Sequence, residues 1–278
     1  MGTIITEEGI VPAWLAAVAH LEQNGRRVRN MMVEIDVPSV VTAADKCIIA
    51  LVDAALQQRL KNPTSVSTVA GTIFPQALYR RIGAAALSEH FLRIMRKAKK
   101  PGTWGTYAMR LMVRSGKNPG DIIYPLDLVV SKLKRAAGQG NANVSNYELG
   151  VHEIADLEEN ELFLCDVPLY DPARDGAMIR NQPCLSHLSF KLIGKVELEL
   201  TAVYRSHYYA ERALGNFIGL CHLMNFVAAE SGVRSGRLTC ISTDAHLDYE
   251  SWGGTVGAGK EVMQRIRHAV SSRRQSNQ

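Results

Sequence analysis

Four places in the second half of the chain carry side chains that together could act on a flat nitrogen heterocycle. They are Pro183-Cys184, Arg205-Ser206, Asn216 and Asp244-Ala245-His246. A thiolate is a strong nucleophile, but free cysteine is mostly protonated at neutral pH. An arginine nearby lowers the pKa of a thiol and can also hold a phosphate. An amide side chain both donates and accepts, so it can read the O4/N3–H edge of uracil.

Each of these residues also has a purely structural interpretation. Cys184 could be a buried turn residue, and Arg205 could be a partner in a surface salt bridge. Asn216 could cap the N-terminus of a helix, and His246 could be a hydrogen-bonded core histidine. The chemical interpretation therefore depends on the combination and not on any single residue.

Hydrophobic periodicity predicts the elements that would position these places. Helices are expected at residues 11–24, 43–60, 78–97, 126–137 and 214–231, and strands at 31–37, 162–167, 187–193, 196–204 and 238–243. Gly194-Lys195 joins two of these strands as a hairpin. The helix at 214–231 is apolar on most sides, which predicts that it is buried. Arg26, Arg27 and Arg29 fall in a predicted loop after the first helix.

The composition indicates an ordinary globular protein that works in a reducing compartment. Hydrophobic residues make up 46% of the 278, and no apolar run is long enough to span a membrane. Residues 1–9 lack the pattern of a signal peptide. The five cysteines include no C-x-x-C pair, so neither a metal site nor a disulfide framework is predicted. A cytoplasmic location is expected.

The order of the four places resembles the thymidylate synthase family. That family has a Pro-Cys motif, a hairpin, an Arg-Ser pair, an asparagine at the start of a long buried helix, and Asp-Ala-His after a strand. Here Arg205 and Asn216 are eleven positions apart, and Asn216 and Asp244 are twenty-eight apart, as in the family. The resemblance covers about residues 182–249. The N-terminal half matches only in layout.

The resemblance implies a fold and an oligomer. The fold class would be α+β, thymidylate synthase-like, with a mixed β-sheet packed with long helices and a single domain over residues 1–278. The family's members form a two-fold homodimer packed sheet to sheet. The implied partner is a pyrimidine nucleoside monophosphate, and the implied cofactor is 5,10-methylenetetrahydrofolate. No membrane partner is expected.

The resemblance also implies roles for individual residues. Cys184 would be the nucleophile, Arg205 would hold the phosphate, and Ser206 would contact the phosphate or order the loop. Asn216 would read the base, His246 would contact the sugar, and Asp244 would also belong to the substrate site. Arg27 or Arg29 would complete the phosphate site. Tyr208 and Trp104 occupy places at which the family binds the folate. Asp53 and Glu89 are the candidates for the family's catalytic carboxylate.

Several differences from the family predict a divergent relative. Tyr208 replaces an aspartate that contacts the pterin, Asp248 replaces a tyrosine at the sugar, and Leu185 replaces a histidine, although His187 is close. The paired arginines that the family's dimer lends to its partner are absent from residues 163–167. The family's closing tail is not recognisable in residues 271–278. Because a site without that tail admits water more easily, hydroxymethylation is favoured over methylation.

Two other functions compete with this enzyme. A protein that keeps the fold without the cofactor chemistry could sense or sequester a nucleotide. The net charge of +5 also suggests nucleic acid, since basic residues cluster at 93–100 and 265–274. These runs are interpreted as a solvated helix face and a frayed tail, so nucleic acid is not the expected partner.

Overall fold

The computed structural model describes residues 2–59, 62–98, 105–115, 120–138, 166–168 and 183–276. The helices are α1 (Ile10–Gln23), α2 (Ala43–Gln57), α3 (Val66–Ile73), α4 (Gln76–Ile82), α5 (Leu87–Ala98), α6 (Tyr107–Met112), α7 (Pro125–Gly138), α8 (Leu214–Ser231) and α9 (Val256–Ser276). A π-helix, Tyr209–Ala213, runs directly into α8, and a 3₁₀ turn, Tyr249–Ser251, precedes α9.

The main sheet is mixed and forms the centre of the molecule. Its strands are β1 (Thr3–Glu7), β2 (Arg27–Ile35), β5 (Asp166–Pro168), β6 (Leu185–Ile193), β7 (Glu197–Tyr204), β8 (His207–Tyr208) and β9 (Arg234–His246). The order is β1-β2-β9-β7-β6-β5, with β8 paired to the end of β9. A separate small ribbon joins β3 (Arg114–Ser115) to β4 (Ile122–Ile123). β1 and β2, β7 and β9, and β8 and β9 run parallel, and the other neighbours run antiparallel.

One face of the sheet forms the core beneath α1 and α8. Alternate residues of the central strands point to it and are fully buried, such as Val33, Leu200 and Cys240. α8 has an apolar surface all round and is buried along most of its length. Gly215 and Gly219 let it approach α3 closely, since a Cβ at Gly215 would lie 2.6 Å from the Cβ of Val69.

The other face of the sheet is half-buried to exposed. The register places Ile4, Met32, Ile241, Val203 and His187 in one row across five strands. Four of these five side chains are apolar, and that of Ile4 is 63% exposed. We call this row the open-face stripe.

Most of the predicted elements are confirmed. The helix at 214–231 is correct at both ends, and α1, α2 and α7 match their predictions closely, although residue 60 lies outside the described residues. The β6–β7 hairpin turns at Gly194 and Lys195, which both have positive φ. The strand predicted at 238–243 is the middle of the longer β9. Of the strand predicted at 162–167, only residues 166 and 167 are described, within β5.

Two predictions about elements are wrong. The helix predicted over 78–97 is two helices, because Gly83 ends α4 with a φ of 74°. Arg27 and Arg29 lie in β2 and not in a loop, where they pair with His246 and Asp244 of β9. Pairing with a central strand has overridden the weak local signal of this arginine-rich segment.

The fold is mixed, with a mixed sheet and many helices, as an α+β class requires. Within the described parts of the chain, no helix combines the length and the apolar character needed to cross a bilayer.

Candidate active site

Cys184 is held at the junction of three elements. Its backbone nitrogen donates to the hydroxyl of Tyr107 at 3.1 Å, and that of Leu185 donates to the same oxygen at 3.2 Å. The carbonyl of Cys184 accepts from the backbone nitrogen of Arg205 at 2.9 Å. The start of β6 is therefore fixed between α6 and the end of β7, and the Cys184 side chain is half-buried there.

Opposing effects act on the thiol of Cys184. Burial raises its pKa above the ordinary value, while the positive charges of Arg205 and Arg212 lower it. Burial is the larger effect, so the free protein holds the sulfur mainly as a thiol at neutral pH. Arg205 also donates from Nη2 to the carbonyl of Pro183, which ties its guanidinium to the segment that carries Cys184.

Arg212 was missed from the sequence. It lies in the π-helix, and no spacing rule relates a residue there to a cysteine 28 positions earlier. Arg212 forms an ion pair with Glu211 at 2.8 Å, and Glu211 also binds Arg59 at 2.7 Å. This arrangement ties the end of α2 to the start of the buried helix.

Asn216 lies on the helix-covered side of the sheet. It is 5% exposed, and its Nδ2 lies 3.0 Å from Nε2 of His207. The N-cap of α8 is Ala213, and the helical backbone already runs from Tyr209, so Asn216 is not a helix cap. That structural interpretation is therefore wrong, and the buried amide requires another explanation.

A stacked pair of rings links Cys184 to Asn216. The ring of Tyr204 stacks on His207 with a centroid distance of 4.0 Å and an interplanar angle of 6°. Tyr204 pairs across the sheet with Leu185, the residue after Cys184. Burial raises the pKa of Tyr204, and the charges of Cys240, Tyr107 and then Cys184 raise it further. In the described structure, the buried Tyr204 hydroxyl has no hydrogen-bond partner. Cys184, Arg205 and Asn216 therefore belong to one region.

A second group lies where the ends of β2 and β9 are paired. Arg27 binds both carboxylate oxygens of Asp244, at 2.9 and 2.8 Å, and Nε2 of His246 lies 2.8 Å from Asp244. The hydrogen bond from Arg27 is the main reason that the pKa of Asp244 falls to about 2. The Tyr208 ring, 43% exposed, lies 5.6 Å from the ring of His246.

The two groups meet at the turn formed by Arg205 and Ser206. Thr243 donates to the carbonyl of Arg205 at 3.0 Å, which fixes this turn against β9 beside Asp244. The side chain of Ser206 is half-buried and makes no hydrogen bond to the described residues. Arg29 is exposed and has no ion-pair partner among them, so it is more available to an anion than Arg27 is.

The candidate carboxylates differ in their surroundings. Asp53 accepts a 2.6 Å hydrogen bond from the backbone nitrogen of Val66, the first residue of α3, which packs on α8 at Gly215. Asp53 is thus anchored next to the helix turn that carries Asn216. Glu89 is exposed in the first turn of α5 and makes no polar contact within the described residues. Trp104 lies outside the described residues.

Asp248 stands at the position where the resemblance implied a sugar-binding tyrosine, and its contacts are structural. It accepts from the backbone nitrogen of Ala210 at 2.9 Å and from the hydroxyl of Ser251 at 2.7 Å. Burial raises its pKa to about 6 in spite of these hydrogen bonds. The side chain therefore anchors the π-helix to the 3₁₀ turn.

Comparison with known proteins gives a partial relationship. No family model matches the chain. Proteins named "Putative thymidylate synthase" are similar to it: one from Methanothermobacter thermautotrophicus is 38% identical over 78 residues, or 28% of this chain and 34% of that protein. Another, from Methanosarcina acetivorans, is 35% identical over 75 residues, or 27% of this chain and 34% of that protein. The chain spans about a third of the length of these relatives. It is thus related, distantly and over part of its length, to thymidylate synthase-like proteins.

Proposed function

We propose that the chain adds a one-carbon unit to carbon 5 of a pyrimidine nucleoside 5′-monophosphate. The observation that carries this proposal is the placement of Cys184. The thiol lies beside two arginines that lower its pKa and is linked by a stacked ring pair to a buried amide. A covalent attack on a flat ring needs these three features together: a sulfur nucleophile, positive charge and a group that orients the ring.

The roles of the residues follow from the chemistry of the ring. The Cys184 thiol would lose its proton to solvent as its sulfur bonds to carbon 6, and the electron pair of the 5,6 double bond would move through carbon 5 to O4 as an enolate. Carbon 5 would then bond the one-carbon unit and release its proton, and loss of the sulfur would restore the double bond. Arg205 would hold the phosphate with Ser206 and Arg29, and a phosphate between them would further orient the substrate. Asn216 would bind the O4/N3–H edge, which favours uracil, with cytosine the competing base. Asp53 is the better placed of the two candidate carboxylates.

The one-carbon unit would come from 5,10-methylenetetrahydrofolate, which supplies it at the oxidation level of formaldehyde. The exposed ring of Tyr208 fits such a group in its chemistry, since an aromatic side chain can stack on a flat pterin. We favour a hydroxymethyl product over a methyl product because of the sequence difference at Tyr208.

A second copy of the chain is the partner that we propose for the open face of the sheet. The open-face stripe is apolar at Ile4, Met32, Ile241 and Val203, and an exposed apolar row on a sheet favours burial against another surface. A two-fold homodimer would pair this face with itself.

Release of tritium from carbon 5 of labelled UMP, dUMP, CMP and dCMP tests the reaction. Wild-type protein should exchange at least one of them, and Cys184→Ala should lower the rate by about two orders of magnitude or more, because the covalent adduct cannot form. Cys47→Ala is the matched control, since Cys47 is also half-buried but lies in α2. If no nucleotide loses tritium faster with wild type than with Cys184→Ala, the proposed reaction is wrong.

One observation favours a nucleotide-binding protein without catalysis. The net effect at Cys184 is a raised pKa, which leaves little thiolate in the free protein. A binding protein should bind a nucleotide equally well with Cys184→Ala and should show no folate binding by calorimetry. Tritium release that depends on Cys184 excludes this alternative.

A further inference from the structure

Four buried side chains form a series of hydrogen bonds that ends at the Asn216 amide. The hydroxyl of Tyr209 lies 3.2 Å from Oγ of Ser242, and the same Oγ lies 3.0 Å from Nδ1 of His207. On the other side of the ring, Nε2 of His207 lies 3.0 Å from Nδ2 of Asn216. The first three residues are 1% exposed or less, so water does not compete for these contacts.

With Nδ2 of Asn216 facing the ring, hydrogen-bond chemistry determines which atom donates and which accepts in this series. An amide nitrogen donates and does not accept, so Nε2 of His207 must be the acceptor. Burial lowers the pKa of His207 to about 3, which keeps the ring neutral at physiological pH. A neutral imidazole with a free electron pair on Nε2 carries its one proton on Nδ1. Oγ of Ser242 accepts that proton and keeps its own hydroxyl proton for Tyr209, so this tautomer satisfies all four side chains together.

With Nδ2 of Asn216 facing the ring, the His207 tautomer in turn holds the amide in that orientation. If Asn216 turned by 180°, its oxygen would face the electron pair on Nε2, and two acceptors would meet in a buried site. The Tyr204 ring, stacked on His207, prevents the imidazole from leaving its plane. One N–H and the oxygen of Asn216 therefore remain in fixed positions. Within the described residues, neither of them has another partner.

We infer that His207, held by Ser242 and Tyr209, is a positioning residue that sets which pyrimidine base the site accepts. The inference rests on the proposed function, in which Asn216 reads the base. Uracil presents an acceptor at position 4 and a donor at position 3, and cytosine presents the reverse. A locked amide matches one of these patterns and leaves buried groups unpaired with the other, whereas an amide that can turn accepts both.

The test is the ratio of the dissociation constants of UMP and CMP, measured by calorimetry on the full chain. Wild type should prefer one base by at least about tenfold. Ser242→Ala removes the acceptor for Nδ1 of His207, so the ring can change its tautomer and the Asn216 amide can turn. The ratio should fall by about three- to tenfold, while affinity for the preferred base falls less. His207→Phe keeps the stacked ring and should abolish the preference. Ser231→Ala should leave the ratio unchanged, because Ser231 is buried in α8 but does not belong to this series of hydrogen bonds.

A second measurement does not depend on a substitution. The ¹⁵N shifts of the His207 ring in wild-type protein should show one neutral tautomer, protonated at Nδ1, from pH 5 to 8. A ring protonated at Nε2, or a mixture of tautomers, overturns the inference.

The outcomes separate this inference from the proposed function. Wild-type protein that binds none of UMP, CMP, dUMP and dCMP overturns both. Wild type that binds UMP and CMP equally, or Ser242→Ala and His207→Phe proteins that keep the wild-type ratio, overturn the role of His207 alone. In those cases Cys184-dependent tritium release still supports the reaction.

Discussion

At the scale of single residues, the sulfur of Cys184 receives positive charge from two different elements. Arg205 extends from the end of β7 and binds the carbonyl of Pro183, and Arg212 comes from the π-helix. Both lower the pKa of a thiol that burial raises. Arg205 has the larger of the two effects, so it is the stronger candidate for activating the nucleophile.

We expect Arg205→Ala or Arg212→Ala to raise the pKa of Cys184 further. Below the thiol pKa, each unit of increase lowers the thiolate fraction about tenfold, so alkylation of Cys184 by iodoacetamide at pH 7–8 should slow by about three- to tenfold. The measurement is a pH–rate profile, with the modified cysteine identified by peptide mass spectrometry. The midpoint of the profile should move to higher pH in both variants.

Arg234→Ala is the matched control for this prediction. Its side chain is 71% exposed and paired with Glu197 at the far end of β9. The alkylation profile of this variant should equal that of wild type. Wild-type profiles in both Arg205→Ala and Arg212→Ala would show that neither guanidinium acts on the sulfur.

The sequence identifies some functional residues of this region and misses others, for physical reasons. Cys184, Arg205 and Asn216 could be named because their order and spacing resemble those of the thymidylate synthase family. His207 and Ser242 could not, because their role arises from contact between β8, β9 and α8, and no local pattern encodes that contact. Arg212 was missed for the same reason. Whether Glu89 or Trp104 takes part stays a prediction.

At the scale of elements, the position of Asn216 depends on how closely α8 packs against α3. A Cβ at Gly215 would lie 2.6 Å from the Cβ of Val69, and one at Gly219 would lie 2.7 Å from the carbonyl oxygen of Ala70. Neither neighbour is the free end of a flexible side chain. The two glycines are thus required by close packing, and Gly215 directly precedes the amide.

Gly215→Ala should destabilise the protein by about 1–3 kcal/mol, because the added methyl forces α8 and α3 apart. The free energy of unfolding in urea measures this effect. Gly71→Ala is the matched control: Gly71 lies in α3, and nothing lies within 4 Å of its added Cβ. That substitution should stabilise the protein by up to about 1 kcal/mol, as alanine favours the helix. Equal stabilities of the two variants would contradict the close packing.

The errors in predicting elements have the same origin as the missed residues. The pattern over 78–97 has a continuous apolar stripe, and only the positive φ of Gly83 divides it. The segment with Arg27 and Arg29 has little hydrophobic alternation, yet it is a strand because β9 supplies its partner. Local sequence predicts elements that are stabilised locally, such as α8, better than it predicts those stabilised by a distant partner.

At the scale of the whole molecule, the sheet separates two kinds of surface. Its covered face carries the region of Cys184 and Asn216, while its other face carries the open-face stripe. β9 contributes Ile241 to the open-face stripe and the buried Ser242, which contacts His207, to the covered face. Association and base recognition therefore use different side chains of one strand and can be tested separately.

The homodimer is tested by sedimentation velocity over a range of protein concentrations. Wild type should be dimeric at micromolar concentration, and Ile4→Arg and Ile241→Arg should each raise the dissociation constant by about tenfold or more, since an unpaired charge would be buried in an apolar interface. Val196→Arg is the control, because Val196 is 57% exposed at the hairpin turn and lies outside the stripe. A wild type that stays monomeric, or a Val196→Arg variant that dissociates as readily as Ile4→Arg, would contradict association through the open face. The arginine substitutions that dissociate the dimer should leave α8 and the Asn216 amide in place. Nucleotide affinity should therefore change far less than the dissociation constant of the dimer.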